Sequence, residues 1–240
     1  MKLAFISDIH GNSVALEAVL ADIKTRHVDE IIILGDLCYR GPEPKQALDL
    51  VRALHAKVVK GNADEWVIRG VDKGEVPDKA LTLMNEEQQW IRQKLSEGDI
   101  KYLEQLPSEL SLIYGNVVIH AFHATPDSLF DVVLPDVTNE ELTSKLTAKK
   151  EDADIYIYGH IHKAYQRVVD GKTIMNLGSV GLPFDGINRA SYAIVEINED
   201  SYTTSNIRVK YDVEKVCSQY ENNSYPNKEM MQKIIRTGRN

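Results

Sequence analysis

"EIIILGD" at residues 30–36 is the stretch on which the reading of this chain turns. Its near-continuous apolar run is what a β-strand covered on both faces requires, and Gly35-Asp36 closes it with a polar turn. On its N-terminal side, "KLAFIS" (2–7) is a second strand-like run. Asn12 or Ser13 then caps a helix whose Leu16, Val19, Leu20 and Ile23 share one face. On its C-terminal side, "PKQALDLVRAL" (44–54) fits a helix and "AKVVKGN" (56–62) a third strand. Strands and helices alternating in this way imply a parallel sheet.

Residues 64–106 read as mostly helical. Asn85 with Gln88 makes a capping box ahead of Trp90, Ile91 and Leu95, and Asp99 caps the short segment that ends before Pro107. From residue 110 the pattern turns to strands: "LSLIYG", "NVVIHAFH" and, after a helix near 138–149, "DIYIYGHIH". Residues 163–209 read as further strands joined by glycine-containing turns such as "VDGK". With no repeat, low-complexity block or linker, the expectation is one domain over residues 1–240. It carries a helical insertion near 65–106 and a tail near 212–237 of two short amphipathic helices separated by "NNSYPN".

Of the 240 residues, 43% are apolar and 27% charged, an ordinary globular balance with enough chain for a substantial core. A net charge of −8 and a pI near 5.4 argue against a surface built to hold duplex nucleic acid or an anionic membrane. An anionic substrate therefore needs a local attractor such as a metal ion. No apolar run approaches the roughly 18–20 residues of a membrane span, and the start, "MKLAFISDIHGN", lacks the features of a signal peptide. Cys38 and Cys217 have no metal-type spacing and give no disulfide framework. The expected location is cytoplasmic.

The chemistry concentrates at strand ends. In "SDIHGN" (7–12), Asp8 and His10 stand two positions apart, so both side chains project the same way. Gly11 allows a sharp turn into a helix N-terminus that favours an anion. Alone, Asp-x-His also fits a polar strand end with a capping role. "GDLCYRG" (35–41) puts Asp36, and "KGN" (60–62) puts Asn62, just past the next two strands, where ligands sit in an open α/β sheet. Either one alone also fits turn chemistry. "YGHIHK" (158–163) ends a fourth run with His160 and His162, and "IHAFHATP" (119–126) adds His120 and His123 to a fifth. Five of the seven histidines fall at these strand ends, with His27 and His55 outside the set. Nitrogen and oxygen donors without thiolate suit manganese, iron, nickel or zinc better than calcium.

In order, Asp-x-His, Gly-Asp, Gly-Asn, His and Gly-His-x-His resemble the five motifs of the calcineurin-like metallophosphoesterase superfamily, from residue 3 to about 197. Within it the chain is most similar to the small bacterial and archaeal phosphodiesterase-like branch. "NLGSVGLPFDG" (176–186) resembles that branch's late Asn-Pro-Gly-Ser loop, with Leu177 in place of the usual proline and Phe184 where relatives often carry arginine. The resemblance implies an α/β fold, a four-layer α/β/β/α sandwich of two mixed sheets flanked by helices. It also implies a dinuclear centre of two divalent metal ions. Asp8, His10 and His162 hold one ion, Asn62, His123 and His160 the other, and Asp36 bridges them. "HATP" matches the family's His-Gly-Ser-Pro, so His123 takes the ligand role and His120 is left as a strand residue near the site. Arg40 in "YRGP" resembles the phosphate-binding arginine of the related protein phosphatases, although Tyr39 stands where those have aspartate. A solvated loop arginine is the other reading. Asp36 and Arg40 are the catalytic candidates.

Two divalent ions about 3.5–4 Å apart bind phosphate oxygens and lower the pKa of a bridging water, giving a hydroxide for in-line attack on phosphorus. The resemblance thus implies a metal-dependent phosphohydrolase, a phosphodiesterase in particular, acting on a small phosphate ester with nucleotides among the candidates. The rival readings are a non-catalytic metal-binding scaffold of the same fold, as in the retromer subunit, and a protein phosphatase. "VKGNADEW" (59–66) raises one departure. Many members carry a histidine after Gly-Asn, assigned to protonating the leaving group, and here that position is Ala63. Asp64 and His120 are the candidate substitutes.

Overall fold

Leu3, Ala4, Phe5 and Ile6 are all fully buried, so the strand they form has to be covered on both faces. The computed structural model, which describes residues 1–150, 152–199 and 201–240, shows how this is done. Strand β1 (Lys2–Ile6) lies in the middle of a five-stranded sheet. On one side it runs parallel to β2 (Glu30–Ile33), which runs parallel to β3 (Lys57–Val58). On the other it pairs antiparallel with β9 (Ala190–Asn198), which pairs with β10 (Ser201–Val209). The second sheet is built from β4 (Glu109–Tyr114), β5 (Val117–Phe122), β6 (Ile155–Tyr158), β7 (Tyr165–Val169) and β8 (Lys172–Asn176). Its order is β4-β5-β6-β8-β7, with β5, β6 and β8 parallel.

Alternation along the strands sorts the side chains into layers. Leu3, Phe5, Ile32 and Leu34 meet Ile119, Ala121, Ile155, Ile157 and Met175 between the sheets. Each of these side chains except that of Ala121 contributes about 1.5–3 kcal/mol by leaving water. Ala4, Ile6 and Ile33 face outward. They are covered by α1 (Ser13–Thr25), α2 (Pro44–Ala53), α3 (Asn62–Arg69), α4 (Asp78–Arg92) and α5 (Glu97–Glu104). The outer face of the second sheet, with Phe122, Tyr156, Tyr158 and Ile174, is covered by α6 (Asn139–Leu146). The result is the four-layer arrangement of two mixed sheets flanked by helices that the motifs imply. Helices α7 (Val213–Asn222) and α8 (Lys228–Thr237) pack on each other and on Val14, and Tyr225 between them meets Trp90 of α4 at 4.8 Å. Among the described residues no helix is long and apolar enough to cross a membrane.

Of the two candidate caps of α1 it is Asn12 that serves, accepting the Ala15 N–H at 3.0 Å. Other local expectations are corrected. The Asn85–Gln88 capping box does not form, because α4 starts seven residues earlier, directly after Pro77, whose fixed φ suits a helix entry. Asn85 instead lies inside α4 and clasps both the N–H and the carbonyl of Val71 at 3.0 Å. Gln88 donates to the Val67 carbonyl at 3.1 Å. Asp99 is not the cap of α5 but the reciprocal partner of the true cap Ser96, accepting its N–H at 2.9 Å. The third strand shrinks to Lys57–Val58, and Asn62 opens α3.

Candidate metal centre

The loops that leave β1, β2 and β3 meet those that leave β5 and β6 at one end of the sandwich. Backbone bonds stitch them together: Asp8 N–H to the Gly35 carbonyl (3.1 Å), His10 N–H to Asp36 (2.9 Å), Gly181 N–H to Asp8 (2.9 Å) and Gly159 N–H to His123 (2.9 Å). The turns are tight enough to force side chains into the left-handed region. Asp8, His10, Asp36, Arg40, His160 and His162 all have φ between 47° and 69°. Such a conformation costs an L-residue about 1–2 kcal/mol, and its clustering at one place marks a functional site. Several glycines are obligatory here, Gly61 and Gly159 among them. A Cβ on Gly159 would collide with Ser7 and Asp8, and one on Gly61 would collide with the Asp36 carboxylate.

Asp8, His10, Asp36 and His162 are buried and offer ligand atoms within 4.8 Å of one another, a candidate metal-binding cluster. The Nε2 atoms of His10 and His162 are 3.1 Å apart, and His162 Nε2 lies 3.0 Å from Asp8 Oδ1. Beside them, Asn62 Oδ1 sits 2.9 Å from His123 Nε2 and 2.8 Å from His160 Nδ1. Asp36 spans the two groups, with Oδ2 3.5 Å from His10 Nε2 and Oδ1 3.4 Å from His123 Nε2.

The tautomers decide what belongs between these atoms. His10 Nδ1 donates to the Tyr39 carbonyl (2.7 Å), His123 Nδ1 to Leu34 (2.6 Å), and His162 Nδ1 to Leu182. A carbonyl only accepts, so each of these rings carries a proton on Nδ1, which leaves Nε2 as the ligand atom of the neutral ring. In the neutral rings the Nε2 lone pairs of His10 and His162 face each other, and all three face oxygens of Asp8, Asp36 or Asn62. This acceptor-only arrangement is repulsive by itself and fits divalent cations with nitrogen and oxygen donors. The carbonyls hold the rings in place as outer partners do in metal sites.

The electrostatics point the same way. Burial, reinforced by His162, pushes His10 down to about 3, and burial with His123 does the same to His160, so both rings are neutral at neutral pH. Burial, with the charges of Asp8 and Asp64, pushes the Asp36 carboxyl well above its usual range. A cation between the groups removes that penalty.

Arg40 lines the same small pocket, of about 120 Å³, with Tyr39, Ala63, Trp66, Leu182 and Phe184. Its Nε is 3.8 Å from an Oε of Glu87 on α4, a carboxylate with 0% exposure. Tyr220 of α7 donates to the Arg40 carbonyl at 2.7 Å. Neither Glu87 nor Tyr220 is singled out by the sequence motifs. One signal does exist for Glu87: it falls on the stripe of Met84 and Ile91, where a charge is out of place. Tyr39 turns away from the loop and donates to the Met84 carbonyl at 2.6 Å.

The two candidate proton donors are both engaged elsewhere. The Asp64 carboxylate accepts the N–H groups of Asp36, Leu37 and Gly61 at 2.8, 2.8 and 2.9 Å, which fixes the loop that carries Asp36. His120 points to the outer face of its sheet, where Nε2 meets Glu109 at 2.8 Å and the ring packs on Phe122. Ala63 supplies only its N–H, to Asp36 Oδ1 at 2.8 Å.

Known proteins resemble this chain along most of its length. The family model for the calcineurin-like phosphoesterase superfamily domain matches residues 1–200. An uncharacterized protein from Methanocaldococcus jannaschii is 31% identical, and the alignment covers 93% of each chain. A metallophosphoesterase from Sphaerobacter thermophilus superposes with a TM-score of 0.78 at 28% identity, covering 99% of this chain and 100% of that one. A hypothetical protein from Pyrococcus horikoshii OT3 shares the fold with a TM-score of 0.85 at 21% identity, covering 99% of this chain and 98% of that one.

Proposed function

The chain belongs to the calcineurin-like phosphoesterase superfamily and is a metallophosphoesterase, and from that premise we propose that it is a phosphodiesterase with a dinuclear centre. Asp8, His10 and His162 would hold one divalent cation, Asn62, His123 and His160 a second, and Asp36 would touch both. The observation that carries this reading is the convergence of three Nε2 lone pairs on carboxylate and amide oxygens. Divalent cations at these positions supply positive charge to phosphate oxygens and acidify water, which gives a nucleophile at neutral pH.

The chain's own residues do the rest. The Nδ1 donations to Tyr39, Leu34 and Leu182 fix three rings in the ligand tautomer. Arg40 presents a fork of donors to the substrate phosphate. No side chain at position 63 can protonate the leaving oxygen, so departure depends on the leaving group's own acidity. Support for a diester over a monoester comes from the pocket wall. Among the described residues Arg40 is its one arginine or lysine, which suits a phosphate of single charge, while Trp66, Leu182 and Phe184 offer apolar surface to a second ester group.

The test is metal analysis with kinetics. Protein loaded with Mn²⁺ is expected to hold two ions per chain and to hydrolyse bis(p-nitrophenyl) phosphate at least tenfold more efficiently than p-nitrophenyl phosphate, with loss of activity in EDTA. One ion per chain, or a preference for the monoester, overturns the respective half of the reading.

A further inference from the structure

Outside the pocket, and sharing His160 and Phe184 with it, lies an open groove of about 800 Å³. That volume is in the range of about 300–1,000 Å³ typical of small-molecule sites, whereas the inner pocket is far below it. The groove draws Val132 and Leu134 from the β5–α6 connection, Ile161 from the loop after β6 and Phe184 from the β8–β9 connection. Val132 is 61% exposed and Leu134 37%. Scattered exposed apolar residues need no explanation, but two from one loop lining a single concave site beside a catalytic centre do. The Phe184 ring stacks on His162 at 4.2 Å with planes 19° apart, so the apolar wall leads into the centre.

The charges in the groove are lopsided. Asp185 is paired with Arg208. Lys163 and Arg239 also line it, and neither meets a carboxylate within ion-pair distance among the described residues. On a protein of net charge −8, two uncommitted cations beside an apolar wall form a local attractor for an anion that also carries a flat apolar group.

We infer that this groove holds the organic half of the substrate, a nucleoside-sized ring system that bears a further anionic group beyond the scissile phosphate. The ring lies against Val132, Leu134 and Phe184, and the second anion lies at Lys163 and Arg239. This inference rests on the phosphodiesterase reading of the centre and adds a substrate class to it.

Three esters with one leaving group test it: the p-nitrophenyl esters of methyl phosphate, of thymidine 5′-phosphate, and of thymidine 5′-phosphate carrying a 3′-phosphate. With leaving-group chemistry constant, kcat/KM is expected to rise at least tenfold from methyl to thymidine and about threefold more with the 3′-phosphate. The exposed-site variant Val132→Asp/Leu134→Asp should erase the first gain, and Lys163→Ala/Arg239→Ala only the second. The methyl ester should stay within twofold throughout. Equal rates for all three esters, or variants that slow them all alike, overturn the inference. If the protein hydrolyses none of them, the phosphodiesterase reading fails, and calorimetric binding of thymidine 3′,5′-bisphosphate decides the groove separately. Affinity lost in both variants then supports the groove, and affinity unchanged in both overturns it.

Discussion

The loops of the centre and the helices that cover it are built on opposite principles. In the loops, six residues other than glycine sit in left-handed backbone, several glycines admit no Cβ, and the ligand atoms come within 4.8 Å of one another at Asp8, His10, Asp36 and His162. In the cover, α3–α5 and α7–α8 are ordinary amphipathic helices held by apolar packing. They reach the loop that carries Asp36 and Arg40 at a few points, through Asp64, Glu87 and Tyr220. The geometry of the centre is therefore set chiefly by its backbone turns, while the cover reaches in through Asn62 and Asp64 at the start of α3 and through Glu87 and Tyr220 beside Arg40. The loops tolerate almost no change, and the cover tolerates change wherever it lies away from these residues.

The largest effect expected from this contrast is at Asp36, which stands between the two groups of donors. Asp36→Ala removes the carboxylate that, on the proposed reading, would lie between two cations, and activity should fall by more than about 10³-fold, several kcal/mol of lost charge stabilisation. Metal content should fall with it. Full metal content and full activity in Asp36→Ala would show that the loops are more forgiving than their geometry suggests.

Arg40 comes next because it belongs to both regions. If Arg40 binds the substrate phosphate as proposed, Arg40→Ala forfeits a charge-assisted bond worth about 1.5–3 kcal/mol, so kcat/KM should drop about ten- to a hundredfold with metal content unchanged. The same variant should lose stability in a pH-dependent way. Burial already holds the Glu87 carboxyl above its usual range, opposed by Arg40. Without the guanidinium the folded state binds that proton more tightly still. The sign follows: stability is retained below the ordinary carboxylate pKa and lost as pH rises through the raised one. Thermal melts at pH 5 and pH 8 should show a larger deficit at pH 8, and Glu87→Gln should cancel it. A deficit independent of pH would mean that Glu87 does not feel Arg40.

Position 63 carries the smallest expected change. With Asp64 saturated by backbone amides and His120 on the outer face, wild-type rates should depend steeply on leaving-group pKa across a series of aryl phosphodiesters. Ala63→His should flatten that slope, chiefly by raising the rates of the least acidic leaving groups. A shallow wild-type slope with chemistry rate-limiting would place the proton donor elsewhere in the pocket.

The same contrast governs what the sequence reveals. The donors are legible because short buried strands end at fixed places and the residues that follow must turn inward. His120 and His123 illustrate the rule. His120 shares the outward alternation of Phe122, and His123 lies one residue past the strand, where the chain bends toward Asn62. The cover is less legible because its helix starts are decided by tertiary packing. Asn85 has the composition of a cap, yet it is used within α4 to clasp Val71. Glu87 depends on a partner 47 positions away in sequence, and Tyr220 on one 180 positions away, separations no local pattern reports.

The central place of β1 has a consequence for how the protein is made. Its first strand, Lys2–Phe5, pairs along one edge with residues 193–196. At about 5–20 residues per second, a ribosome delivers that neighbour about 10–40 s after the strand itself. Through that interval one of the most apolar segments of the chain has an open edge, the kind of surface on which nascent chains associate with one another. Asp8 and His10 lie just beyond this strand, and His160 and His162 are synthesised more than a hundred residues later. The two halves of the candidate metal-binding cluster are thus separated in time as well as in sequence, and the cluster is completed only late in synthesis.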